Sequence, residues 1–209
     1  MLHTETVDQS TLELLIKVQQ KEYLKGFYLV GGTALALLMG HRKSVDIDLF
    51  STHGFDVGQM LENLSADFTF NLFFSANNTI IGSIDQVQVD ILAHRYPMIG
   101  EPIILENISM LSLEDIISMK LNAISVSGQR VKDFIDIYYL LDNYSVEEMI
   151  GFYKKKYSQY NEVNVLKSLC WFEDIDLADW PVLLKTPNLK WGTVKKKIKE
   201  ATQRYLTQV

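Results

Sequence analysis

Residues 45–49 read Val-Asp-Ile-Asp-Leu, a strict alternation of apolar and acidic side chains. A strand repeats every two residues, so this pattern turns Val45, Ile47 and Leu49 toward a core and sets Asp46 and Asp48 together on the opposite face. Two carboxylates side by side repel each other unless a cation lies between them. A chain with this segment therefore needs a sheet with one face packed and one face left open.

The alternation returns at 86–92, where Val87, Val89 and Ile91 face one way and Gln86, Gln88 and Asp90 the other. Pairing across a sheet can bring Asp90 beside Asp46 and Asp48. An all-oxygen ligand set suits magnesium or manganese, and phosphoryl transfer on two metal ions usually needs a third carboxylate. Asp46, Asp48 and Asp90 are thus the candidate metal ligands.

Upstream, the apolar run at 27–30 reads as a buried strand, and 33–39 reads as a helix ending at Gly40. Gly31 and Gly32 lie between them. A glycine turn from strand to helix leaves room for phosphate oxygens against backbone N–H groups and the positive end of the helix dipole. Its plain alternative is an ordinary tight turn. Neither a P-loop nor a Gly-x-Gly-x-x-Gly pattern occurs.

Elsewhere the spacing predicts a helix over 7–24, strands at 68–74, 79–81 and 103–105, and helices at 113–126, 131–141, 146–157, 163–172 and 193–206. Strands come early and helices late, which argues for an α+β fold: a mixed sheet with flanking helices, then a helical C-terminal region. The division falls near 109–112, giving an α/β lobe over 1–110 and a helical lobe over 111–209 that completes the cleft. Trp180-Pro181 and Thr186-Pro187 mark a loop before the last helix.

With 47% apolar and 22% charged residues, the 209-residue chain has the composition of a globular protein. Its longest apolar stretch, 27–39, is broken by Gly31, Gly32 and Thr33, so no membrane helix is expected. The N-terminus carries neither the basic nor the apolar region of a signal peptide, which makes the cytoplasm the expected compartment. The lone Cys170 cannot form an internal disulfide and reads as a small buried hydrophobe; His3, His41, His53 and His94 show no zinc spacing. Net charge is −6, but residues 1–149 hold 9 basic and 20 acidic side chains against 11 and 6 in 150–209. Lys154–Lys156, and Lys195–Lys197 with Lys199, can meet phosphates or serve as solvated helix faces.

Gly31-Gly32-Thr33-Ala34-Leu35-Ala36, followed by Arg42-Lys43-Ser44-Val45-Asp46-Ile47-Asp48-Leu49-Phe50, resembles the signature of the AbiEii/AbiGii-type nucleotidyltransferases of abortive-infection and toxin–antitoxin systems, within the DNA polymerase β-like superfamily. Val89-Asp90-Ile91-Leu92 resembles that family's strand bearing the third carboxylate. Lys120-Leu-Asn-Ala123 and the stretch Arg130 to Tyr138 are similar to its helical segment with a lysine, then basic and acidic residues. The resemblance covers about 27–140, and nothing in 145–209 matches.

It implies a magnesium- or manganese-dependent transfer of NMP from an NTP to an acceptor hydroxyl, on RNA such as tRNA or on protein, restrained by an antitoxin. Gly31, Gly32, Thr33, Arg42, Ser44, Lys120 and Arg130 are then the nucleotide-binding candidates. Asp46, Asp48, Asp90, Lys120 and Asp136 are the catalytic ones. From the residues alone, Lys120 is equally a solvated helix position, Arg42 pairs with acidic neighbours, and Asp133 and Asp136 balance Arg130 and Lys132. Antibiotic nucleotidyltransferases of the lincosamide type share the Gly-Gly…Arg…Asp-x-Asp layout, and a catalytically idle nucleotide-binding module would keep the same fold.

Overall fold

The computed structural model describes residues 1–207. Among them run α1 (Gln9–Gln19), β1 (Tyr28–Leu29), α2 (Gly31–Met39), β2 (Ile47–Ser51), α3 (Val57–Asp67), β3 (Phe70–Ala76), β4 (Thr79–Ile84), β5 (Val87–Ala93), β6 (Ile103–Leu105) and β7 (Ile108–Met110). Five helices follow: α4 (Leu113–Val126), α5 (Val131–Leu140), α6 (Val146–Lys156), α7 (Glu162–Cys170) and α8 (Trp191–Leu206). The architecture is α+β, with a mixed sheet in the order β3-β4-β5-β2-β1-β7-β6.

β2 lies centrally, antiparallel to β1 and parallel to β5. One sheet face carries Ile47, Leu49, Ile80, Ile84, Val89 and Ile91, all fully buried. Fully burying each such side chain contributes about 1.5–3 kcal/mol, which holds the register of β2 against β5 to the residue. A one-residue slip would turn these apolar groups outward and the carboxylates inward. The apolar cluster is continuous from Leu2 through Ile198 and joins the sheet to the helices.

Several boundaries differ from the expectation. Residue 45 is not in a strand: β2 starts at Ile47, and Val45 is 55% exposed rather than turned to the core. Pairing with β5 begins only at Ile47, and the preceding arm is held elsewhere, with Ser44 N–H donating to the Thr6 carbonyl and Lys43 N–H to Val182. The helix expected over 7–24 stops at Gln19, after which a 3-10 turn, Glu22–Leu24, redirects the chain into β1. β7 had no counterpart in the sequence reading. Gly40 closes α2 at φ +66°, its N–H bonded to the Ala36 carbonyl. No described helix is long and apolar enough to cross a membrane.

Candidate active site

The register of β2 and β5 sets Asp48 directly opposite Asp90. Adjacent strands lie about 4.8 Å apart and paired residues share a face, so the two carboxylates are immediate neighbours. Asp46 stands just before β2 on the approach to the same place. Burial, then the charge of Asp90, pushes the Asp48 carboxyl up to about 6, while Lys120 and Arg130 oppose the shift and Asp46 adds to it. Asp90 is also raised, chiefly by burial with a contribution from Asp46, although Gln88 Nε2 donates to its Oδ1 at 3.1 Å. Among the described residues no three His, Cys, Asp or Glu side chains stand grouped so as to hold a metal ion. What the strands provide is a buried carboxylate, Asp48, raised further by the charges of Asp90 and Asp46.

Both glycines are needed where they stand. Gly31 has φ +70°, and a Cβ there would overlap Asp48 Oδ2; a Cβ on Gly32 would overlap the Arg42 guanidinium. The missing side chains thus bring the start of α2 against the carboxylate and the arginine, and leave its backbone N–H groups facing the cleft. Thr33 is 1% exposed. Its hydroxyl donates to the Asp46 carbonyl and lies 2.9 Å from Ser44 Oγ, tying helix to arm. Thr33 also lines the smaller compartment beside Gly32 and Ser44.

Behind the glycines lies a network that joins residues far apart in sequence. Asp136 is fully buried and accepts from Arg42 Nε (2.7 Å) and Nη2 (3.0 Å); His41 Nε2 stands at 2.8 Å and Lys120 Nζ at 2.8 Å. Lys120 Nζ also donates to Asp133 at 2.6 Å. Burial opposes the Asp136 charge, but Arg42 and Lys120 outweigh it and hold the carboxyl well below its ordinary value. Burial likewise opposes the Lys120 ammonium, and Asp133 and Asp136 more than compensate. His41 is pushed down by burial, which keeps the imidazole neutral and makes Nε2–H the donor.

Asp136, a catalytic candidate from the resemblance, lines neither compartment of the cleft; its oxygens meet Arg42, Lys120 and the neutral His41, so it anchors Arg42 and Lys120. The network corrects the pairing read from helical spacing, because Asp133 and Asp136 balance Lys120 and Arg42. Arg130 is exposed, and Lys132 pairs with Asp179 at 2.6 Å. Lys120 bonds to Asp133 and pairs with Asp136 while also lining the cleft.

The cleft has two compartments that meet at Gly32, Asp48 and Arg130. The larger, about 290 Å³, runs from Gly31 past Lys120 to Phe50, Met119, His94 and Tyr157. The smaller, about 200 Å³, lies under the arm and is lined by Arg42, Ser44, Asp46, Lys132 and Trp180. The loop between α7 and α8 closes it through bridges Arg42↔Leu183 and Arg130↔Asp176.

The sequence region 13–78 and the region 71–207 match the family model described as nucleotidyl transferase AbiEii toxin, Type IV TA system. The chain belongs to the AbiEii nucleotidyltransferase toxin family. It is a nucleotidyltransferase. A protein of Aquifex aeolicus (strain VF5), described as uncharacterized, is 30% identical over 171 residues, covering 78% of this chain and 81% of the relative.

Two solved structures share the fold. MenT4, the nucleotidyltransferase toxin Rv2826c from Mycobacterium tuberculosis H37Rv, has a TM-score of 0.58 at 14% identity, over 94% of this chain and 84% of that one. JHP933 from Helicobacter pylori has 0.53 at 13%, over 97% and 94%.

The lysine runs are largely engaged in ion pairs. Lys156 is 2% exposed and bound to Asp115 at 2.6 Å, Lys154 pairs with Glu162, and Lys197 pairs with Asp142 and lies over the Tyr138 ring. Cys170 is unpaired and half-buried. His41 was not anticipated as part of the site. Its only sequence signal is adjacency to Arg42, and its partner Asp136 lies 95 positions away.

Proposed function

We propose that this AbiEii-family enzyme transfers NMP from an NTP to an acceptor hydroxyl in a magnesium-dependent reaction, and that it is the toxic partner of an antitoxin. The observation that carries this reading is the opposition of Asp48 and Asp90 on neighbouring strands beside the Gly31–Gly32 bend.

Charge arithmetic supports the need for metal. Lys120 and Arg42 are neutralised by Asp133 and Asp136, so Asp48, which lines both compartments, Asp46, which lines the smaller one, and Asp90, opposite Asp48 in the sheet, stand against Arg130. A triphosphate entering that field is repelled unless divalent cations accompany it. The donor set fits: Asp46, Asp48 and Asp90 offer only oxygens, the chemistry Mg²⁺ or Mn²⁺ prefers. Bound there, the ion supplies charge neutralisation of the phosphates and acidifies the acceptor hydroxyl.

The chain's own residues do the rest. The N–H groups at Gly31 and Gly32, Ser44, Arg130 and Lys120 hold the triphosphate and stabilise charge on the departing pyrophosphate. The acceptor oxygen forms its bond to the α-phosphorus as the bond from that phosphorus to pyrophosphate breaks, and the leaving group takes the electron pair. Asp90, half-exposed and raised in pKa, assists removal of the hydroxyl proton. RNA such as tRNA, or a protein side chain, is the acceptor class, and the cytoplasm is the compartment where both are found.

Purified protein incubated with each α-labelled NTP, Mg²⁺ and total bacterial RNA or protein should label an acceptor. Asp46→Asn/Asp48→Asn should not. Label transfer surviving in that double variant overturns the reading.

A further inference from the structure

We propose that the part of the larger compartment lined by Phe50, His94 and Tyr157 is the nucleobase subsite and sets which NTP the enzyme uses. This rests on the nucleotidyl-transfer reading and adds a location to it.

Phe50 follows Asp48 by two residues on β2, hence on the same face and about 6.6 Å further along. Leu92 stands opposite Phe50 as Asp90 stands opposite Asp48. A nucleotide whose α-phosphate lies at the carboxylates and whose sugar follows the strand therefore brings its base to Phe50. Besides Gly31, Gly32, Lys120 and Arg130, the compartment is lined by aromatic and apolar residues, Phe50, Met119, His94 and Tyr157 among them.

The His94 ring is 5.7 Å from Phe50 and 4.7 Å from Tyr96, and His94 Nε2 is 2.8 Å from the Tyr157 hydroxyl. Burial, then the charge of Lys156, lowers His94 to about 4, so the imidazole is neutral. One hydrogen bond thus joins two neutral side chains, the His94 imidazole and the Tyr157 hydroxyl. Neutral aromatic surface with a few fixed polar groups suits a base and offers a phosphate nothing. Asn122, on the same wall, adds a side-chain amide with both a donor and an acceptor.

The wall is also fixed in place. Lys156, adjacent to Tyr157, donates to Asp115 (2.6 Å) and to the Pro97 carbonyl (2.9 Å). Asp115 in turn accepts from the N–H groups of Ile99 and Gly100, each at 3.2 Å. One buried pair thus holds both the end of α6 carrying Tyr157 and the segment after His94.

The test is calorimetric binding, with Mg²⁺, of the four NTPs and of inorganic tripolyphosphate, which has no base. Wild type should bind its preferred NTP about tenfold or more tighter than tripolyphosphate, as a stacked base provides. In His94→Ala and in the conservative Tyr157→Phe, that advantage should fall severalfold or more while tripolyphosphate affinity holds. Variants that retain the wild-type ratio overturn the subsite, as does a wild type that binds all five ligands alike. If Asp48→Asn leaves tripolyphosphate affinity unchanged, it is the metal and phosphate reading that fails, a result separable from the His94 and Tyr157 outcomes.

Discussion

Replacing Asp48 by Asn should make the protein more stable and inactive at once. The carboxyl is raised from its ordinary 3.8 to about 6 by burial and by Asp90. Between those values the folded state binds more protons than the unfolded one, so stability falls as pH rises through that window and the cost is complete above it. About two units at 1.36 kcal/mol each give an upper bound near 3 kcal/mol, and relaxation of neighbours reduces this to roughly 1–2 kcal/mol. For a chain of this size that corresponds to about 2–8 °C in Tm.

Thermal melts in EDTA should therefore place Asp48→Asn above wild type at pH 8. The difference should shrink as pH falls through 6, be about half as large at pH 5, and vanish only below about 3.8, where Asp48 is protonated in the folded and unfolded states alike. Mg²⁺ at pH 8 should raise the wild-type Tm and leave the variant's unmoved. A variant equal to or below wild type at pH 8 in EDTA would refute the claim that an uncompensated carboxylate is held in this cleft.

Other consequences follow from the same geometry. Asp136→Ala leaves Arg42 and Lys120 buried with a reduced counter-charge and should cost about 3–5 kcal/mol in urea denaturation; a loss under 1 kcal/mol contradicts the anchoring role. Because the Asp136 carboxyl is held well below its ordinary 3.8, its stabilisation is present in full above that value and is lost as pH falls through the depressed one, which acid denaturation of wild type should register. Gly31→Ala meets both a positive φ and Asp48 Oδ2, so it should lose about 1–2 kcal/mol and at least about tenfold in kcat, with normal activity counting against the close approach. Lys120→Ala should weaken Mg–NTP binding by about tenfold or more, the worth of one charge-assisted hydrogen bond, and an unchanged Kd rejects its phosphate role.

The opposition of Asp48 and Asp90 was legible because both strands alternate without interruption, and a period of two leaves each carboxylate only one face. Gly31 and Gly32 were legible as a bend, but their reason was not: the atoms they make room for, on Asp48 and Arg42, come from beyond the helix that follows them. Val45 shows the limit of the period. It continues the alternation, yet the arm before it is bonded to Thr6 and Val182 and joins β5 only from Ile47, so the pattern overruns the strand. β7 did carry a signal. Glu106 and Asn107, at φ 52° and 65°, form a two-residue turn between the triplets Ile103–Leu105 and Ile108–Met110. Three-residue strands are too short for periodicity to register. The Asp136 hub was illegible for a different reason, since helical spacing ranks neighbours three or four positions away, and its partners Arg42 and His41 lie 94 and 95 positions off.

The most direct measurement is a crystal structure with Mn²⁺ and a non-hydrolysable NTP, read by anomalous scattering. The account predicts manganese bound to Asp46, Asp48 and Asp90 oxygens at about 2.0–2.3 Å, with the phosphates against Gly31 and Gly32. Manganese or phosphates seated away from these three acids would contradict it.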